Sequence, residues 1–133
     1  YPGVPDLVRH VIGEEPFTVG AMRIVPVRGY HYRLPVLGFR IGKLCYITDM
    51  NRIPEEEMHK LEGLDVLVIN ALRREKHISH FTLGEALAIA ERVKPRHTYL
   101  THISHQLGRY AETNDTLPQG VEMAYDGLKI TSE

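Results

Sequence analysis

Several features that would indicate a specialised class of protein are scarce or absent in this chain of 133 residues. Its one cysteine, Cys45, cannot form an intrachain disulfide, which favours a reducing, cytoplasmic setting. The 16 Lys and Arg residues are balanced by 17 Asp and Glu residues, so no overall basic field attracts nucleic acid or anionic membranes. No apolar run approaches the ~20 residues of a membrane span.

The chain also lacks an initiator methionine and a signal-peptide pattern, because it opens at Tyr1 without a basic flank and an apolar centre. We therefore expect it to be a piece of a longer protein. Its composition, 43% hydrophobic and 25% charged, is that of an ordinary globular domain. With no internal repeat or linker, residues 1–133 are predicted to form a single α/β domain.

Three apolar runs rich in β-forming residues each end in a polar residue. Such runs predict strands that are buried on both faces. They are residues 44–48 before Asp49, residues 66–69 before Asn70, and residues 98–101 before His102.

Two helices are predicted between these strands. Residues 54–61 begin with proline, carry acids in the first turn and lysine in the last, which indicates a short helix. Thr82 and Glu85 form a capping-box pattern, and apolar residues recur at helical spacing as far as Val93.

The flanking segments favour β-structure. Residues 17–27 and 36–41 predict strands, and Gly42-Lys43 predicts a hairpin turn into Leu44. Residues 121–124 and 128–131 predict a second hairpin through Asp126-Gly127. Residues 1–16 predict a loop and a short helix, because apolar residues there recur at helical spacing.

Asp49 and His102 follow predicted strands, at the edge where α/β proteins bind ligands. A carboxylate and an imidazole there could share zinc, manganese or iron. The alternatives are a turn or capping carboxylate for Asp49 and an ordinary hydrogen-bonded histidine for His102.

His80 lies two residues before the predicted cap Thr82. A helix N-terminus offers free N–H groups and partial positive charge to an anion, and a histidine there can also transfer a proton. Arg73 and Arg74 could clamp the same anion. The alternatives are a surface-loop histidine and a solvated basic pair, and His77 is interpreted as a surface-loop residue.

The other candidate functional residues are supported by weaker sequence patterns. His31 lies between two predicted strands and could simply pack in its loop, and His105 follows His102 by three residues. A thiol within a buried strand is normally inert, so Cys45 is not expected to be a nucleophile. Three further histidines are expected to be ordinary residues: His10, His59 and His97.

Four segments together resemble the C-terminal half of a metallo-β-lactamase-fold hydrolase. They are ITD ending at Asp49, SHFT from Ser79, THISHQ from Thr101 and AYDG from Ala124. The resemblance covers the chain from about His31 to about Ile130. It is strongest to the branch containing the phosphoribosyl cyclic phosphodiesterase, with the tRNA 3′-processing endonuclease as a more distant relative.

The resemblance implies a role for each matching residue. His31 would complete a first metal site, Asp49 would bridge two metals, and His102 would be the last histidine of the second site. His80 would contact the scissile phosphate and protonate the leaving oxygen. His105 would lie near the substrate. Arg73 is expected to bind the substrate as well, because its positive charge comes shortly before His80 on the same connection.

The family's His-x-His-x-Asp-His loop has no counterpart here. The resemblance therefore implies one half of an αββα sandwich, a mainly β sheet with helices on one face. This half would need the N-terminal half of the same chain as a partner, or would form a homo-oligomer that covers the bare sheet face. The binding sites for the two divalent ions, zinc or manganese, would be incomplete in this chain.

The implied enzyme is a cytoplasmic, metal-dependent phosphodiesterase for a small substrate, and this chain alone is expected to be inactive. Two alternatives remain open at this point. One is a metallo-hydrolase of an ester, thioester or lactone. The other is a binding module without catalysis.

Overall fold

A mixed sheet of seven strands organises the computed structural model, which describes residues 2–132. The spatial order of the strands is their order in the chain, antiparallel from β1 to β4 and parallel from β4 to β7. The strands are β1 Phe17–Val19, β2 Met22–His31, β3 Leu34–Ile41, β4 Leu44–Ile47, β5 Val66–Asn70, β6 His97–Thr101 and β7 Val121–Met123. The structure therefore shows the α/β class and the half of an αββα sandwich that the sequence resemblance implies.

Helical segments make the connections between the parallel strands. A 3₁₀ helix, Glu55–Leu61, leads into β5, and α1, Leu83–Val93, leads into β6. A 3₁₀ turn, His105–Leu107, and the short α2, Tyr110–Asn114, lead into β7. Among the described residues, no helix has the length and apolar character needed to cross a membrane.

The N-terminus of α1 confirms the predicted capping box. The hydroxyl oxygen of Thr82 accepts a hydrogen bond from the Glu85 amide at 3.1 Å, and the Glu85 carboxylate accepts one from the Thr82 amide at 2.9 Å. Lys94 caps the C-terminus of the helix, and its backbone is left-handed with φ of 54°. This reciprocal capping satisfies two amides that a helix start otherwise leaves without partners.

The core lies on one face of the sheet. Ile47, Leu67, Ile69 and Leu100 are fully buried there, and the apolar side of α1 packs against the same cluster. Because side chains alternate along a strand, the neighbouring positions face the other way. Phe39, Tyr46, Val68 and Tyr99 are paired in register across that second face.

Several sequence predictions differ from the structure. Residues 17–27 form two strands, β1 and β2, separated by a turn at positions 20 and 21. Of the three strands predicted to be buried on both faces, only β5 is buried along its whole length.

The helix over residues 54–61 is a 3₁₀ helix from Glu55, in which the Glu57 amide bonds to the Pro54 carbonyl at 2.9 Å. Residues 4–12 form no helix, and Leu7 and Val11 are 82% and 99% exposed. An amphipathic pattern this short needs a surface on which to bury its apolar side, and none is present for it among residues 2–132.

The predicted hairpin at the C-terminal end is wrong as well. Asp126 and Gly127 do form a turn, and Gly127 has the expected positive φ of 88°. Residues 128–131 nevertheless form no strand. β7 pairs with β6 in parallel, so the chain leaves the sheet after β7 instead of returning beside it.

Candidate metal centre

The carboxyl ends of the parallel strands bring Asp49 and His102 together. Asp49 lies two residues beyond β4, and His102 directly follows β6 with a positive φ of 54°. Nδ1 of His102 is 3.4 Å from Oδ1 of Asp49. The predicted adjacency of these two residues is therefore present.

His80 enters the same site from the connection between β5 and α1. Its Nε2 is 3.8 Å from Oδ2 of Asp49, and its ring stacks on that of His102 with 4.8 Å between the centroids. One ligand atom from each of Asp49, His80 and His102 lies within 4.8 Å of the others. The three side chains can therefore converge on one ion.

His31, the last residue of β2, also contacts His80. The two rings meet edge to face, with 4.7 Å between their centroids. Nδ1 of His31 and Nε2 of His80 are both buried without a hydrogen-bond partner in the described part of the chain. All four of these predicted site residues thus gather at one edge of the sheet.

The donor set fits a divalent cation. Buried polar atoms without partners cost free energy, so the two orphaned imidazole nitrogens require an explanation. Imidazole nitrogen and carboxylate oxygen are the ligand types that zinc takes in proteins, and manganese accepts the same set. A cation held by Asp49, His31 and His102 would satisfy the His31 nitrogen, and a substrate bound at that cation would face the His80 nitrogen.

The electrostatics of the site favour neutral imidazole at His80. Partial burial lowers the pKa of His80, and the neighbouring imidazoles of His102, His31 and His77 lower it further, although the Asp49 carboxylate acts in the opposite direction. The Asp49 carboxylate is thus the neighbour that favours the protonated form of His80.

Asn70, at the end of β5, holds the Asp49 segment in place. Its fully buried side chain accepts a hydrogen bond from the Met50 amide at 3.0 Å and donates one to the Met50 carbonyl at 2.8 Å. The same carbonyl also accepts from the Phe81 amide at 2.9 Å, directly after His80. Sequence reasoning assigned Asn70 no role, although a polar residue ending a fully buried strand was the available signal.

The interpretation of His77 as an ordinary surface-loop residue is wrong. Its Nδ1 lies 3.2 Å from Nδ1 of His80, and the Ser79 hydroxyl lies 3.0 Å from the same His80 atom. The loop turns back on itself between positions 77 and 80, which the spacing alone did not indicate. His77 and Ser79 thus surround the side of His80 that faces away from Asp49.

The expected anion site at the start of α1 is not present in the form predicted. The Thr82 and Glu85 amides are used by the capping box, and the Leu83 amide donates to the Arg73 carbonyl at 2.8 Å. The Arg73 guanidinium donates to the Glu75 and Lys76 carbonyls and to the Gln106 side chain. Arg73 therefore braces its loop in this structure, and substrate contact by Arg73 stays a prediction.

The remaining predicted residues lie as follows. His105 is exposed at the start of its 3₁₀ turn, and its substrate contact also stays a prediction. Burial raises the pKa of the Cys45 thiol to about 12, so it is an inert core side chain. The histidines expected to be ordinary are exposed: His10, His59 and His97.

Comparison with known proteins places this geometry in a family. Residues 4–103 match the family described as Beta-lactamase superfamily domain. A crystal structure described as a new diphosphatase from the PhnP family superposes with a TM-score of 0.91 at 41% identity, over 93% of this chain and 49% of that one. The metallo-beta-lactamase fold protein YhfI from Bacillus subtilis superposes with a TM-score of 0.74 at 20% identity, over 90% of this chain and 54% of that one.

Another relative, among the curated proteins, has a name that refers to an activity other than that of a diphosphatase. A protein called octanoyltransferase from Porphyromonas gingivalis (strain ATCC BAA-308 / W83) is 37% identical over 131 residues. The match covers 97% of this chain but only 27% of that protein. The chain thus spans about a quarter of this relative and about half of the two solved structures.

Proposed function

The chain belongs to the Beta-lactamase superfamily domain family, and from this premise we propose that it supplies part of the active centre of a metal-dependent hydrolase that cleaves a phosphodiester. One observation carries the proposal. Asp49, His80 and His102 converge at one edge of the sheet with His31 beside them, and two of the buried imidazole nitrogens have no partner among the described residues.

In this proposal, Asp49, His102 and His31 hold the metal. A bound divalent cation, zinc or manganese, would lower the pKa of water and polarise the phosphoryl oxygen. Two such ions need more ligands than these side chains offer, since a catalytic zinc takes about three protein ligands. The remaining ligands would come from another segment of the whole protein.

His80 would act on the leaving group. Its Nε2 faces the Asp49 carboxylate from 3.8 Å, so a substrate oxygen held beside Asp49 would lie within reach of that nitrogen. In its protonated form, which the Asp49 carboxylate favours, His80 would give a proton to the departing oxygen. The Ser79 hydroxyl and His77 at its Nδ1 would hold the imidazole in a fixed orientation.

The phosphodiester specificity is supported by the likeness to the structure described as a diphosphatase from the PhnP family. Of the solved structures compared above, it is the one with substantial sequence identity, 41%, and its TM-score is 0.91. Arg73 and Arg74 belong to the same connection as His80, and positive charge on that connection favours an anionic substrate.

A second candidate is hydrolysis of an acyl ester, thioester or lactone. It is favoured by the 37% identity to the protein named octanoyltransferase, whose name refers to an acyl group. The two candidates differ in substrate and share the metal centre.

The test compares both substrates on the full-length protein loaded with zinc or manganese. We expect bis(p-nitrophenyl) phosphate to be cleaved with a higher kcat/KM than p-nitrophenyl acetate. His80→Ala should lower kcat for the phosphodiester by ~10²–10⁴-fold, the range for loss of a general acid or base, with unchanged metal content. His59→Ala, at an exposed histidine, is the matched control.

Metal analysis separates the proposed roles. Asp49→Ala and His102→Ala should reduce the bound metal measured by elemental analysis. If His80→Ala also empties the site, His80 is a ligand and not the proton donor. A faster reaction with the acetate or a lactone than with every phosphodiester would replace the proposal by the acyl candidate.

A further inference from the structure

Asn51 lies two residues after the candidate ligand Asp49, and its backbone is fixed to the end of β2. The Asn51 amide donates to the Tyr30 carbonyl at 2.8 Å, and the Tyr30 amide donates to the Arg52 carbonyl at 3.0 Å. The Arg52 guanidinium also lies over the Tyr30 ring, 4.2 Å from its centroid. These contacts hold the residues after Asp49 beside the end of β2, where His31 lies.

The side chain of Asn51 contacts two further connections of the chain. Its Oδ1 accepts a hydrogen bond from the Tyr32 amide at 2.9 Å, and its Nδ2 donates one to the Ile78 carbonyl at 3.3 Å. Tyr32 directly follows His31, in the turn between β2 and β3. Ile78 lies two residues before His80, in the connection between β5 and α1. One amide group therefore joins the segment that carries His31 to the segment that carries His80.

The turn that follows His31 is strained at Tyr32. Tyr32 has a positive φ of 59°, a backbone conformation that residues with large side chains seldom adopt. Such a conformation costs free energy and persists only where neighbouring contacts hold it, and the hydrogen bond to Asn51 is one of these contacts. A change in this turn would redirect the His31 imidazole, whose buried Nδ1 has no hydrogen-bond partner among the described residues.

The contact at Ile78 acts on the other side of the site. The two neighbours of Ile78 in the chain surround Nδ1 of His80. They are His77, whose Nδ1 is 3.2 Å away, and Ser79, whose hydroxyl is 3.0 Å away. The Ile78 side chain is 62% exposed, so its packing does not fix this part of the loop. The loop is instead bound through the Ile78 carbonyl by Asn51.

We propose that Asn51 is a positioning residue that fixes His31 and His80 relative to each other. It acts on His31 through the Tyr32 amide. It acts on His80 through the Ile78 carbonyl. The inference rests on the proposed function, because it takes His31 as a metal ligand and His80 as the proton donor. Residues that orient ligands in this way typically contribute about 10- to 100-fold to metal affinity or activity.

The test uses variants of the full-length protein that separate the two contacts. Asn51→Ala removes both of them. Asn51→Asp keeps an oxygen that accepts from the Tyr32 amide, but an ionised carboxylate cannot donate to the Ile78 carbonyl. Asn114→Ala is the matched control, because the Asn114 side chain at the end of α2 likewise accepts from a backbone amide, that of Met123 at 2.9 Å.

Hydrogen exchange of the metal-free protein is the first measurement, and it needs neither zinc nor substrate. The Tyr32 amide donates to Asn51, and the Ser79 amide donates to Nδ1 of His77 at 3.2 Å within the loop. Asn51→Ala should speed exchange at both amides by roughly 5-fold or more, as expected for loss of a hydrogen bond. Asn51→Asp should speed exchange at Ser79 only, and exchange elsewhere in the sheet should not change.

Zinc affinity and kinetics are the second and third measurements. In competition with a chromogenic chelator, Asn51→Ala should bind zinc about 10-fold more weakly because His31 loses its orientation, whereas Asn51→Asp should bind it no more weakly than the unmodified protein. With bis(p-nitrophenyl) phosphate at saturating zinc, both variants should lower kcat by about 10-fold. KM should stay within a factor of about 2, because His80 acts on the leaving group in the transition state.

The outcomes distinguish this inference from the proposed function. If both Asn51 variants behave like Asn114→Ala in all three measurements while the unmodified protein cleaves the diester, the inference is wrong and the function stands. An Asn51→Asp variant with unchanged kcat, or with zinc affinity as weak as that of Asn51→Ala, also overturns the inference. If the unmodified protein does not cleave the diester but exchange and zinc affinity change as described, the function is wrong and the positioning of the two histidines stands.

Discussion

At the scale of single residues, Glu57 ties a helical segment to the sheet. One of its carboxylate oxygens accepts hydrogen bonds from the Arg28 amide at 2.9 Å and from the Lys60 ammonium at 2.6 Å. Burial by itself would raise the pKa of Glu57, but these two donors outweigh it and hold the pKa below its ordinary value. The charged form of Glu57 is therefore bound more tightly in the folded protein than in the unfolded chain.

This lowered pKa predicts an acid-dependent contribution to stability. The stabilisation is fully present above the ordinary pKa of 4.5 and is lost as the pH falls through the lower folded-state value. Glu57→Gln should reduce the free energy of unfolding by about 1–2 kcal/mol at pH 7, and the difference should shrink towards zero below the folded-state pKa. Urea unfolding at a series of pH values measures this.

The matched control is Glu55→Gln in the same 3₁₀ helix. Glu55 pairs with Arg92, but both side chains are largely exposed, so this substitution should change stability little. A loss for Glu57→Gln that stays constant between neutral and acid pH would show that the charge of Glu57 is not what stabilises the fold.

At the scale of elements, Gly38 in β3 sets how closely the chain packs where β4 ends. A Cβ atom at this position would lie 2.8 Å from Cδ1 of Ile47 and 2.8 Å from the carbonyl oxygen of Tyr46. The second neighbour is backbone and cannot move aside without shifting β4. The residues just beyond β4 lead into Asp49, so the packing at Gly38 also positions a candidate ligand.

Gly38→Ala should therefore affect both stability and the site. We expect a loss of about 1–3 kcal/mol in the free energy of unfolding, the usual cost of overpacking, together with weaker metal binding. Urea unfolding and metal titration measure the two effects. Gly13→Ala, where no heavy atom lies within 4 Å of the added Cβ, is the control and should change neither. Unchanged stability in Gly38→Ala would contradict the tight packing at this strand.

The helical segments show why some elements were predictable and others were not. α1 combines a local capping box with an apolar side that the core buries, so its sequence pattern and its environment agree. Residues 7–12 carry a similar apolar spacing and form no helix, because their apolar side chains remain exposed. Helix formation in a short segment depends mainly on such burial, which the sequence does not reveal.

At the scale of the whole molecule, the second face of the sheet carries apolar side chains outside the helix-covered core. Phe39, Tyr46, Val68 and Tyr99 are in register across it. Tyr46 is 46% exposed, Phe39 and Tyr99 are half-buried, and Val68 is buried. Exposed aromatic surface at Tyr46 and its half-buried neighbours favours association. We therefore propose that this face is covered in the working protein, and that the chain alone self-associates through it.

Sedimentation velocity at micromolar concentration tests this proposal. We expect a species heavier than the 15.2 kDa monomer, and Tyr46→Lys should shift it towards the monomer by placing a charge in the interface. Leu7→Lys makes a comparable change at an 82% exposed residue away from the sheet and should have no effect. A monodisperse monomer for the unmodified chain would contradict the proposal.

The sequence by itself determined the parallel strands, the capped helix α1, and the placement of Asp49 and His102 at one edge of the sheet. These features follow from periodicity, capping and the direction of strands, which are properties of neighbouring residues. Only the tertiary structure decided that His77 lies against His80, that Asn70 holds Met50, and that the amides of Thr82, Leu83 and Glu85 are already bonded. Contacts between loops depend on how separate segments cross in space, and that crossing is set by packing of the whole fold.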